Sequence, residues 1–197
     1  AGCNFSFNEC KIMSEYNELT NIDIEGKNIL LREDLNVPMG NNKIINDARL
    51  RATIPTIKYI LSKGAKVAII SHFGRPIEGV YDKKYSLEKV AVRLAEILDE
   101  EVFFENTPLD IKSPKYKKKI TLYENTRFLV GEKSGNEGLA KKIAENCDVF
   151  VMDAFGASHR KHSSTYTISK FAPITCGGLL LIDEISNLEK IFTNPKK

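Results

Sequence analysis

The sequence predicts a doubly wound α/β domain: a Rossmann-like parallel six-stranded sheet with helices on both faces. Three observations carry that expectation. The apolar runs Ile29-Leu30-Leu31, Ala65–Ile70 and Asp148–Met152 are continuous or nearly so, as in strands covered on both sides. Helix-period segments and long crossovers separate them, which suits right-handed βαβ connections. Finally, the runs end in short polar stretches, and open α/β sheets meet their ligands beyond the carboxyl ends of their strands.

The first strand, 28–32, follows a polar lead-in with a turn at Glu25-Gly26 and enters Glu33-Asp34-Leu35-Asn36-Val37-Pro38. Gly40-Asn41-Asn42 marks a turn or short hairpin. Asn46 or Asp47 suits the cap of a helix running to Ser62 and stopped by Gly64. Pro55 implies an irregular first turn there, or a start near Thr53. The strand 65–70 leads into Ser71-His72-Phe73-Gly74-Arg75-Pro76, and the polar stretch 77–85 reads as a mobile linker. Ser86 suits the cap of an amphipathic helix with Leu87, Val90, Ala91, Leu94, Ile97 and Leu98 on one stripe. Strands are expected at 101–104, 119–123 and 148–152, with Asn136 capping a helix to about Asn146. A short helical segment at 167–171, a sixth strand at 178–181 and a terminal helix at 183–192 complete the pattern. Residues 1–13 read as an N-terminal extension and 14–182 as the α/β domain. Residues 183–197 read as the start of a helix and linker.

With 197 residues, 42% hydrophobic and 28% charged, the chain has ample material for a core. Its net charge of +3 makes no case for nucleic acid, and no apolar run is long enough to span a membrane. The four cysteines, Cys3, Cys10, Cys147 and Cys176, lack CxxC spacing, which suits reduced thiols in a cytoplasmic protein.

The arginines are more telling. Only seven of the 29 basic residues are arginine, and arginine suits sites where a planar fork meets carboxylate or phosphate. Arg32 ends the first strand and Arg49 lies just beyond it. Arg75, Arg127 and Arg160 follow three other strands, joined by His72 and His159. The parallel sheet would bring all of them to one edge, where they would bind a small, highly anionic molecule. Each member has a plainer reading. Arg32 also suits pairing with a carboxylate, Asp34 and Asn36 suit a turn before Val37-Pro38, and His72 suits a loop. His159 and His162 lack a third ligand for a metal. The convergence of independent loops outweighs these readings. The phosphate loop GxxxxGK[ST] and the dinucleotide fingerprint GxGxxG are both missing; Gly131–Gly135 has the residue types in the wrong order, and Gly177-Gly178 suits backbone packing.

Five segments, REDLNVP, the arginine-bearing NDARLRATIPTIKYILSKGAK, SHFGRP, ENTRF and DAFGASHRKHSST, resemble in order and spacing the motifs of the phosphoglycerate kinase family. The resemblance covers about residues 18–192 and corresponds to the family's N-terminal domain, with the interdomain helix beginning near 183 and the nucleotide-binding C-terminal domain missing. It implies magnesium-dependent phosphoryl transfer between ATP and the carboxylate of 3-phosphoglycerate, giving 1,3-bisphosphoglycerate and ADP, in a cytoplasmic, monomeric glycolytic enzyme. Nucleotide and Mg2+ would belong to the other domain, and this chain alone would be inactive. By carry-over, Asp34 and Asn36 would read the substrate's hydroxyl region. His72, Arg75, Arg127 and Arg160 would hold its phosphate, and Arg49 would stand at the reacting carboxylate as the catalytic residue. Arg32 would support the site. Glu33 and Thr126 depart from the family pattern, and Glu33 would have to point away or pair with a base such as Arg32. The alternative is a non-catalytic anion-binding domain on the same scaffold.

Overall fold

Each of the three apolar runs 29–31, 65–70 and 148–152 becomes a strand. A computed structural model describes residues 17–106, 116 and 118–193. Within them β1 (Asn28–Glu33), β4 (Lys66–Ser71), β5 (Phe103–Glu105), β6 (Ile120–Tyr123), β7 (Val149–Met152) and β8 (Thr175–Gly177) form one six-stranded sheet in the order β5-β6-β4-β1-β7-β8. All five pairings are parallel. A separate hairpin pairs β2 (Met39–Gly40) with β3 (Lys43–Ile44). Asn41 and Asn42 both hold positive φ at its turn, as the expected Gly-Asn-Asn signal requires.

Side chains alternate between two cores. Ile29, Leu31, Val67, Ile69, Ile120, Leu122, Val149 and Val151 face one layer, with Leu50, Ile57, Ile60, Val90 and Leu94 from α1 (Ala48–Ser62) and α2 (Glu88–Leu98). Leu30, Ala68, Ile70 and Phe150 face the other, against Leu139, Ala140 and Ile143 of α3 (Glu137–Ala144) and against Ile168. With both faces covered, the strands need no polar side, which is why the runs are unbroken.

Several boundaries differ from expectation. Helix α1 is regular from Ala48 although it contains Pro55, which merely leaves the Arg51 carbonyl without its intrahelical donor. Asn46 and Ser86 each accept an amide hydrogen two residues on, from Ala48 and Glu88, and Asn136 caps α3 through Leu139 N–H. The stretch 77–85 is tied down: Gly79 N–H donates to Phe128 O, residues 83–85 form a 3-10 turn, and Tyr85 packs against Gly74. The sixth strand is not 178–181. It is Thr175–Gly177, and Leu179 already begins α5 (Leu179–Thr193). The apolar run after Gly178 fits a buried strand and a helix face equally; pairing of Thr175, Cys176 and Gly177 with Phe150, Val151 and Met152 decides it. A further short helix, α4 (Phe155–Ser158), follows β7. Cys3 and Cys10 and the expected extension 1–13 lie outside the described residues. Cys147 and Cys176 are buried free thiols, each pushed up to about 12 mainly by burial.

Candidate anion-binding site

The chain builds from β1 outward through β4 to β6 and β5, then crosses to β7 and β8 on the other side. The direction of winding therefore reverses between β1 and β7, and the crevice beyond their carboxyl ends is where such sheets bind ligands. Asp34 and Asn36 follow β1, His72 and Arg75 follow β4, Arg127 follows β6, and Arg160 follows β7 and α4. Arg49 stands in the first turn of α1. Every sequence-predicted site residue thus lies at one edge of the sheet.

Backbone and side-chain hydrogen bonds join these loops. Ser71 Oγ accepts from Leu35 N–H at 2.9 Å, and Asn36 Oδ1 accepts from Gly74 N–H at 2.9 Å, so the turns after β1 and β4 are stitched together. Buried Asn125 clamps the loops after β4 and β6. It accepts from the N–H groups of Phe73 and Arg127 and donates to the carbonyls of Phe73 and Tyr85. Arg127 Nη1 donates to the Gly74 carbonyl. Asp34 Oδ2 accepts from Arg49 Nη1 at 2.6 Å, and a Cβ at Gly156 would stand 3.3 Å from the same oxygen. The β7 loop therefore approaches the β1 loop closely.

The arginines sort by partner. Arg51 and Arg93 share Asp47, with Arg93 also reaching Glu96, on the flank formed by α1 and α2. The other five gather at the crevice. Burial lowers the Arg127 pKa, and Arg160 and Arg75 push it the same way while Glu132 and Asp34 oppose them. Mutual repulsion of this kind is tolerated where an anion is to be held. His72 lies among the same charges. Burial, then Arg32, Arg127, Arg160 and His162, hold its pKa down at about 2, so it is neutral throughout the physiological range. His162 is lowered as well, by burial first and then by Arg127, Arg160 and Arg32. It is the crevice residue that the sequence reading left unassigned; its place two residues beyond Arg160 in the same loop was the available signal.

Glu33 forms no ion pair with a base. It is fully buried, and Arg32 donates to its backbone carbonyl rather than to its carboxylate. Neither Glu33 carboxyl oxygen has a hydrogen-bonding partner of ordinary geometry, and Asp153 is the strongest neighbouring charge. Two ionised carboxylates only accept, so burial of this pair favours a retained proton. Burial first, and Asp153 second, raise the Glu33 pKa well above its ordinary value. Asp153 Oδ1 accepts from Leu181 N–H at 2.8 Å and so occupies the N-terminus of α5. A Cβ at Gly178 would lie 2.4 Å from the Asp153 carboxyl carbon. Gly178 therefore does open a helix, but its role is close packing against a carboxylate.

The fold and the crevice together define a doubly wound α/β domain that gathers arginines from separate loops at a sheet's switch point. A family model described as phosphoglycerate kinase matches residues 19–197. The phosphoglycerate kinase of Francisella tularensis subsp. holarctica is 46% identical over 179 residues, covering 91% of this chain and 45% of its own length. That of Legionella pneumophila is 47% identical over 183 residues with the same coverage. A structure of phosphoglycerate kinase from Coxiella burnetii superposes with a TM-score of 0.86 at 42% identity, over 92% of this chain and 46% of that one. The chain belongs to the phosphoglycerate kinase family and spans about half the length of the relatives it matches.

Proposed function

We propose that this chain is the substrate-binding half of a glycolytic, cytoplasmic phosphoglycerate kinase. In this reading it holds 3-phosphoglycerate or 1,3-bisphosphoglycerate while the remainder of the protein presents ATP or ADP with Mg2+. The observation that carries the proposal is the gathering of Arg75 and Arg160 about Arg127, from three separate loops, with Asp34 of the Asp34–Arg49 pair and neutral His72 beside Arg127. The three guanidiniums hold the ligand's phosphate by charge-assisted bonds. Asp34 and Asn36 read its hydroxyl and fix its orientation. Arg49, in the first turn of α1, meets the carboxylate that gives or receives the phosphoryl group and neutralises charge as it develops. Phosphoryl transfer requires mainly alignment and charge stabilisation, and no protein nucleophile. Among the described residues no three His, Cys, Asp or Glu side chains gather to hold a metal. Among the same residues no helix is long and apolar enough to cross a membrane.

Separate titrations of 3-phosphoglycerate and ATP into the chain, followed by amide NMR, test the reading. Shifts at residues 34–36, 72–75, 127 and 160 with the acid, and none with ATP, are expected. Shifts with ATP at these residues, or none with the acid, would reject it.

A further inference from the structure

Beneath the crevice lies a chain of buried polar groups that no ligand contact explains. Among the described residues, Arg32 is the largest fully buried side chain. Burying a guanidinium is costly unless its donors are satisfied and its charge is balanced. Each Arg32 nitrogen finds a partner, and a carboxylate stands behind one of them. Its Nη1 donates to the Glu33 carbonyl, its Nε donates to Ser164 Oγ at 3.3 Å, and its Nη2 stands 3.2 Å from His72 Nδ1. Ser164 in turn donates through Oγ to Glu132 Oε1 at 2.5 Å and through N–H to Glu132 Oε2 at 3.0 Å. Glu132 is fully buried, and it is the charge that most favours the Arg32 cation. The series Glu132–Ser164–Arg32–His72 thus links β1 to the loops after β6, β7 and β4.

One end of this series leaves no freedom of assignment. A guanidinium has donors only, so the His72 nitrogen facing it must accept. Nδ1 carries the lone pair, and the ring's single proton sits on Nε2. Protonating Nδ1 would set two buried donors against each other.

We propose that Arg32 is a positioning residue that acts through His72, locking it as the Nε2–H tautomer so that the crevice offers the ligand one fixed neutral donor among its cations. The proposal rests on the reading of the crevice as a 3-phosphoglycerate site. The charged and titratable groups acting on the imidazole are Arg32, Arg127, Arg160 and His162, and all oppose a second proton. A free imidazole would answer an arriving dianion by taking up a proton, and would then bind by charge alone. The locked ring instead binds by direction, because its one N–H must meet an oxygen lone pair. Arg32 itself need not touch the ligand.

The test is imidazole 15N NMR on the chain, which has three histidines, with His72→Gln used for assignment. His72 is expected to show a protonated Nε2 and a bare Nδ1 from about pH 8 to about pH 5, without the titration near 6.5 of an ordinary histidine. The same pattern should persist after saturation with 3-phosphoglycerate. An Nδ1–H tautomer, or a titration near 6.5, would overturn the proposal. Arg32→Lys keeps the charge but loses the fork. In that variant, folded by circular dichroism, mixed tautomers and about tenfold weaker 3-phosphoglycerate binding are expected, roughly the worth of one hydrogen bond. A folded variant with an unchanged tautomer would refute the role of Arg32. Should that variant fail to fold, the titration of the unaltered chain decides. If 3-phosphoglycerate shifts no crevice residue while His72 remains locked, it is the substrate reading that fails, not the tautomer.

Discussion

Arg49 Nη1 donates to Asp34 Oδ2 at 2.6 Å, tying the first turn of α1 to the loop after β1. The proposed function places these two residues at neighbouring parts of one small ligand, so their bond sets the spacing between a cation and a hydroxyl reader.

The Arg49 side chain is 52% exposed, and exposed ion pairs contribute about 0–1 kcal/mol. Arg49→Ala is therefore expected to lower the stability of this chain by less than about 1 kcal/mol in urea denaturation. In the complete enzyme the same substitution should reduce turnover by roughly 100-fold or more, the scale of removing one transition-state charge contact. A matched fall in stability and activity would count against a catalytic role.

Asn125 carries four bonds from a position with almost no exposure. Asn125→Ala strands two donors and two acceptors, one pair of them on Phe73, beside His72. A loss of about 3 kcal/mol or more is expected in chemical denaturation. Weaker 3-phosphoglycerate binding should accompany it, because both His72 and Arg127 lose their anchor.

Much of this was legible in the chain. Apolar runs declare strands wherever both faces are covered, and the scarcity of arginine marked the crevice before any distance was known. What escaped had non-local causes. Nothing near Glu33 in the chain announces that its side chain meets Asp153, 120 positions on. The run Leu179–Ile182 satisfies a strand and a helix alike until β7 claims Thr175–Gly177 as its neighbour. His162 had no assigned role in the sequence, and only the folded loop sets it among arginines.

Glu33 makes a pH prediction. Its pKa is raised above the ordinary 4.5 in the folded state, so the native chain retains a proton that the unfolded chain releases. Stability contributed by this group is present below about pH 4.5 and falls as pH rises, by up to about 1.4 kcal/mol per unit, until the folded group ionises. Glu33→Gln removes that dependence. The variant should be more stable than the parent at pH 7, with the advantage closing near pH 4.5; thermal melts across that range measure it. An advantage independent of pH would contradict a retained proton.

Gly178→Ala tests the other side of the carboxyl pair. The added methyl would overlap the buried Asp153 side chain at 2.4 Å, and overpacking of this kind costs about 1–3 kcal/mol. The amide of Leu181, which donates to Asp153, should also lose protection from hydrogen exchange.

Asp153 has one further consequence, best expressed as a proton inventory. One of its oxygens receives an amide of α5, and burial already raises its pKa. Lifting α5 from its seat would take that donor away but also return the carboxylate to water, and burial is the larger of the two influences. The seated helix and the retained proton therefore favour each other. Acid seats α5 and alkali loosens it, at the sheet edge that also carries Asp34.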